Sequence, residues 1–213
     1  MGVPGVAGPD AAGVLRTLEA GTTIEDALSF FDSLPPVSVA EMIGTWKGSG
    51  LVTGNPLDGL LERLGWYGKR FESADDAHPL LFADQRGPFS VNPGLVPITM
   101  VVKYARVLRN PLAARLVRTA MRLLRTSKPH ARLRMIEYRG VLTGTMSYDA
   151  LPINDHFRTV DEDTLLGAMD LRGLSSPFMF VLRREPPHRA AFRNRRHRWW
   201  RRRRPTAGRR AAG

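Results

Sequence analysis

The chain contains no cysteine. That absence excludes a disulfide framework, thiolate-bound zinc and a cysteine nucleophile. It fits a reducing compartment, and a cytoplasmic location is expected. Long apolar runs are missing as well. The strongest, around Val96 to Val102, is interrupted by Pro97. It is far shorter than the roughly 20 residues a membrane-crossing helix needs, so no membrane span is expected. Met1 to Gly21 has neither the basic start nor the apolar stretch of a signal peptide. No G-x-G-x-x-G opens a helix and no G-x-x-x-x-G-K-[ST] occurs, which excludes the common phosphate loops. A G-x-S-x-G elbow is lacking, as is an H-x-x-x-H pair, so neither a serine-hydrolase nucleophile nor a metal site is expected.

Negative charge is missing from the end of the chain. Residues 186–213 hold eleven arginines and no acid. Taken from the net charge of +12, they leave +1 for residues 1–185. The basicity therefore belongs to the tail, where Trp199 and Trp200 interrupt the arginines. Such a segment has too little apolar surface to offset its ordering entropy and is expected to be disordered. Nonspecific binding of polyanions through it follows from counterion release.

What remains is ordinary for a folded protein: 213 residues, of which 43% are hydrophobic and 24% charged. That suffices for one domain with a sizeable core. The expected organisation is a flexible segment over 1–20, one compact β-rich domain over 21–185 and the tail over 186–213. Thr23 with Asp26 predicts a capped helix whose apolar face holds Ile24, Ala27, Leu28 and Phe31, stopped by Pro35-Pro36. Ser38 and Glu41 make a second capping box. Strands are expected over Thr45 to Thr53, Trp66 to Phe71, Leu80 to Ala83 and Ile98 to Tyr104, with Arg86 to Pro97 a loop. A short helix fits Pro56 to Leu64. Asn110-Pro111 starts the clearest helix, with an apolar stripe through Leu112, Leu116, Ala120, Leu123 and Leu124. Arg115, Arg118, Arg122 and Arg125 would form its solvated face. Arg132 to Tyr138, Val141 to Tyr148, Thr164 to Asp170 and Phe178 to Arg184 read as strands, with Phe157 to Val160 extended between them. Many short strands and few helices predict a mainly β fold: a β-barrel or strongly curved antiparallel sheet, lipocalin-like, with flanking helices.

Two constellations stand out. The first is Gly44-Thr-Trp46-Lys-Gly48-Ser-Gly50. Alternate glycines in a strand allow close approach, and Trp46 among them would close one end of a barrel or line its pocket. The second is Tyr148, Asp149, Asp155, His156 and Arg158, a phenol, two carboxylates, an imidazole and a guanidinium within eleven residues. These types supply acid, base and anion-clamp groups; they also serve in turns and ion pairs. Strand alternation puts Asp155 and Phe157 on one face and His156 and Arg158 on the other, so at most one pair faces an interior.

Gly44-x-Trp46-x-Gly48 resembles the signature of the bacterial GXWXG domain. Tyr138-Arg-Gly140, then Tyr148-Asp149-x-x-Pro152-Ile153-x-Asp155-x-Phe157-Arg158 and Gly167-x-Met169-Asp170 resemble the domain of unknown function that commonly follows it. The first part would span about 24–84 and the second about 130–185. The glycine-rich start also resembles nitrobindin and fatty-acid-binding-like barrels. That resemblance implies an interior holding an apolar ligand or, as an alternative, haem; a neutral imidazole such as His156 ligates iron. The closer family implies no established reaction.

The reading is a β-barrel that binds a small, largely apolar molecule and needs no cofactor. Trp46, Tyr148, Asp155, His156 and Arg158 are the candidate ligand-binding residues. A cofactor-free enzyme of isomerase, cyclase or hydrolase type is the first alternative, with Asp155, His156 or Tyr148 as acid or base. Polyanion binding through the tail is the second.

Overall fold

In the computed structural model, which describes residues 10–85 and 87–186, eight antiparallel strands close on themselves. They are β1 (Gly44–Gly50), β2 (Trp66–Phe71), β3 (Ala77–Asp84), β6 (Ala131–Tyr138), β7 (Val141–Tyr148), β8 (Ile153–Asp161), β9 (Thr164–Leu171) and β10 (Phe178–Arg184). Their order round the barrel is β2-β1-β10-β9-β8-β7-β6-β3, and β3 returns to β2. The seam between β3 and β6 is held by one ladder pair, Ala77 opposite Ala131. Two further strands, β4 (Gly87–Val91) and β5 (Arg125–Thr126), extend the sheet from β3.

The strands come from period-two patterning. On β8, Ile153, Asp155 and Phe157 point inward, and on β10 Phe178, Phe180 and Leu182 do the same; all are buried. The alternate residues face outward and are buried as well. Helices α1 (Ala11–Glu19) and α2 (Ile24–Ser33) cover that outer face, where Leu15, Ala27 and Phe31 pack on Leu166, Ala168 and Val181. A buried outer face explains why β9 and β10 read as near-continuous apolar runs. The caps anticipated at Thr23 and at Ser38 with Glu41 are both formed. The second opens α3 (Val39–Met42).

Four expectations are corrected. Residues 11–19, placed in a flexible segment, form α1, anchored by buried Leu15. Ile98–Lys103, expected as a strand, is helix α5. Its β-branched composition favours strands, but Pro93 and Pro97 start turns in quick succession and tertiary packing decides the outcome. Gly87–Val91 lies in the expected loop yet pairs with β3. The fourth concerns the helix capped by Asn110, α7 (Pro111–Met121). Its leucines face outward, while Ala114 and Met121 are buried. The arginines following them turn toward the barrel: Arg122 and Arg125 reach Asp84, and the Arg125 guanidinium sits 4.3 Å from the Phe89 ring centroid. Between α5 and α7 lies the single turn α6 (Ala105–Leu108), and before β2 the turn α4 (Leu60–Arg63). The tail beyond residue 186 and the first nine residues lie outside the described residues. Among the described residues no helix is long and apolar enough to cross a membrane.

Candidate functional site

The glycines of β1 make room for aromatic rings. A Cβ on Gly48 would lie 2.2 Å from the Trp66 ring, so only glycine lets Trp66 enter the barrel. Across the ladder, Trp46 stands opposite Lys69. Gly68 sits between Trp66 and Lys69 at φ +150°, where an added Cβ would strike the Trp46 carbonyl oxygen at 1.9 Å. The β2–β3 register slips on either side of Gly68. This bulge shifts the alternation by one residue, so that Trp66 and Lys69 both point inward.

Lys69 is therefore a buried cation, with 3% of its surface exposed. Its Nζ lies 2.7 Å from Oδ2 of Asp155, which is wholly buried. The same ammonium donates to the Pro79 carbonyl at 3.2 Å and to the Tyr148 hydroxyl at 3.4 Å. The ammonium is thus shared between the carboxylate as an ion pair and two neutral acceptors. The Phe180 ring lies 5.0 Å away, with Trp66 and Tyr148 at 5.7 Å. Such faces attract a desolvated cation. Burial raises the Asp155 pKa, and Lys69 and Tyr148 pull it back. Burial also raises the Tyr148 phenol well above its ordinary value, and the neighbouring Asp155 charge adds to that. The three side chains form one coupled buried group with a cation and an anion in ion-pair contact.

Lys69 and Tyr148 open onto a cavity of about 50 Å³, or about 560 Å³ of unfilled space when the part reaching solvent is included. Its other walls are apolar. Phe178 and Phe180 come from β10, Leu57 from the loop before α4, and Val96, Ile98 and Val101 from the segment around α5. Asp155 lies behind Lys69 rather than on the wall.

The remaining sequence candidates stand elsewhere. Trp46 is fully buried in the barrel interior but off the cavity wall. Its Nε1 donates to the Met42 carbonyl at 2.7 Å, and the Arg184 guanidinium covers its ring at 4.1 Å. His156 and Arg158 point to the outer face of β8. His156 stacks on Tyr138 with ring centroids 3.9 Å apart, and its Nδ1 pairs with the Thr145 hydroxyl at 2.9 Å. Burial lowers its pKa to about 4. Arg158 lies under α2, 5.2 Å from the Phe31 ring centroid, with a long bond of 3.4 Å to the Tyr138 carbonyl. Asp149 pairs at the surface with Arg132. Tyr148 and Asp155 are thus brought together, and His156 and Arg158 are separated from them by the sheet. No histidine lines the cavity, and among the described residues no three His, Asp or Glu side chains gather as a metal site would require.

Lys69 was not anticipated. Alternation counted from Trp66 turns it outward, and only the glycine two residues after the tryptophan hinted at a bulge.

Residues 29–87 match the model of the family described as GXWXG protein, and residues 129–184 match that of the domain of unknown function DUF4334. Both agree with the motif pair read in the sequence. A crystal structure of a protein from Thermomonospora curvata is 31% identical and aligns with 83% of this chain and 99% of its own, at a TM-score of 0.60. No curated protein gives a significant match.

Proposed function

This chain belongs to the family built from a GXWXG domain followed by DUF4334, and from that premise we propose that its barrel binds a small, largely apolar molecule carrying one neutral oxygen. The observation that carries the reading is an apolar cavity whose polar groups are Lys69 and Tyr148. Cavities of this kind use a few placed polar groups to orient a ligand. The Lys69–Asp155 pair is neutral as a unit, and the ammonium already donates to the Pro79 carbonyl and the Tyr148 hydroxyl. An added carboxylate would meet the Asp155 charge in a poorly screened interior. A ketone or alcohol avoids that penalty and takes or gives one hydrogen bond at the Tyr148 hydroxyl.

The test is calorimetric titration with hexan-2-one, hexan-1-ol and hexanoate, equal in carbon number. Binding of the ketone or the alcohol, weakened about tenfold by Tyr148→Phe, is expected; one lost hydrogen bond is worth about 1.4 kcal/mol or less. Tighter binding of hexanoate than of both neutral probes would refute the reading. Native mass spectrometry of gently purified protein would identify a ligand carried from the cell.

A second reading rests on the Asp155–Tyr148 pair itself. Tyr148 stands on the cavity wall and Asp155 lies close behind it, its pKa raised by burial toward neutrality; a carboxyl shifted in that direction suits proton transfer, relayed through the phenol, beside a carbonyl. Bound hexan-2-one would then exchange its α-hydrogens in D2O. Exchange no faster than in buffer would dismiss the enzymatic alternative.

A further inference from the structure

The excursion between β3 and β6 concentrates charge of one sign. Residues 85–130 contain nine lysines and arginines and no aspartate or glutamate. The rest of residues 1–185 therefore carries −8, since the two parts sum to +1. The same excursion leaves large apolar side chains uncovered. On α7 and the turn after it, Leu112 and Leu116 are 73% exposed and Leu123 is 86% exposed. Before them Met100, Tyr104 and Val107 follow the helical spacing of one face and are exposed too. Lys103, Arg106 and Arg115 are exposed among them. A helix that exposes leucines beside arginines, with only Ala114 and Met121 buried beneath it, does not present an ordinary solvated face.

We propose that this excursion is a membrane-docking surface: α5 to α7 lie on an anionic phospholipid bilayer, leucines in the acyl boundary and basic side chains among the headgroups. Apolar anchors ringed by lysine and arginine are what interfacial attachment needs, and anionic lipid adds about 1 kcal/mol for each basic residue near the surface. Charge decides against a second copy, which would bring nine like charges against nine. The exposed leucines decide against a nucleic acid, whose phosphates give them no partner. The surface also adjoins the cavity, because Ile98 and Val101 line it from the inner side of α5 while Met100 faces out. Docking does not depend on whether the cavity takes a ligand.

The cysteine-free sequence makes the test direct. A full-length Leu116→Cys protein carries an NBD fluorophore on the docking face, and Leu142→Cys carries it at an exposed position on β7 as the reference. Each is mixed with vesicles of phosphatidylcholine containing 30% phosphatidylserine, or with phosphatidylcholine alone. The expected result is a blue shift and brightening at residue 116 with the anionic vesicles and no change at residue 142. Adding Leu112→Ser and Leu123→Ser, with the circular dichroism spectrum unchanged, should weaken partitioning about tenfold, as losing part of two buried leucine side chains implies. Two results would overturn the proposal. One is a protein that sediments with vesicles while residue 116 stays in water, which leaves binding to the tail. The other is a shift without vesicles that grows with protein concentration, which makes the face a contact between copies.

Discussion

Removing the cation from the Lys69–Asp155 pair should be among the costliest single changes in the barrel, and its cost should depend on pH in a particular direction. Lys69→Met keeps the length and apolar stem of the side chain but leaves Asp155, wholly buried, without its counter-charge at 2.7 Å. Breaking a buried pair by removing one partner costs about 3–5 kcal/mol, because the orphaned ion must be desolvated without compensation. The carboxyl has one escape, which is to take up a proton. In the variant its folded-state pKa rises further, since the lysine that pulls it down is gone. A group whose folded pKa exceeds its unfolded value, about 3.9 for aspartate, gives stability that is present below the unfolded value and is lost as pH rises through the folded one. The deficit of the variant against wild type should thus be small near pH 4.5 and reach the full 3–5 kcal/mol near pH 8. Adding Asp155→Asn removes the buried charge and should recover most of the loss at pH 8. Urea unfolding followed by circular dichroism at both pH values measures each quantity. A deficit below about 1 kcal/mol, or one that does not change with pH, would mean that water reaches the pair and that the low-dielectric argument fails.

Three further outcomes follow from the same geometry. Trp46→Ala should cost about 3–5 kcal/mol, the usual loss for a buried aromatic, and an unchanged melting midpoint would remove it from the core. Gly68→Ala should cost at least about 1–3 kcal/mol, because its Cβ collides with the Trp46 backbone at a positive φ; near-neutral behaviour in thermal unfolding would argue against the bulge. His156 has a folded pKa of about 4 against about 6.5 unfolded. A lowered value gives stability that is present above pH 6.5 and lost as pH falls toward 4, about 3 kcal/mol in all. His156→Gln should flatten that limb of the urea stability–pH curve, and a limb of unchanged steepness would show that the imidazole titrates freely.

Much of the barrel was legible because its strands are short apolar or β-branched segments bounded by turn residues. Trp66–Phe71, Val141–Tyr148 and Phe178–Arg184 lie where the pattern put them, and Asp155 and Phe157 share the inner face as the parity argument required. The misreadings have local causes. Lys69 was hidden by a bulge that changes the phase of its strand, which pattern counting cannot detect from a glycine alone. The outward leucines of α7 were misplaced because amphipathicity states that two faces differ, not which one meets the protein. Asp84 and the Phe89 ring gave the arginines a better inner surface than leucine would have had. The strand expected at Ile98 is a helix because β-branched residues tolerate either state and their neighbours choose. His156 drew attention as a titratable residue, yet its stacking on Tyr138 is a packing role that residue type does not reveal.

The seam at Ala77 and Ala131 gives the barrel a weak side. Every other neighbouring pair of barrel strands is laced by a longer ladder. Between β3 and β6 a breathing motion has one ladder pair to break, together with the bonds from His130 to Ala77 and from Leu133 to Ala74. The chain also leaves the sheet and rejoins it there, so the seam can part without dragging a tight turn with it. The barrel is accordingly weakest along that line. Amide hydrogens flanking the seam should be the first in the barrel to trade for solvent deuterium, and those between β8 and β9 the last.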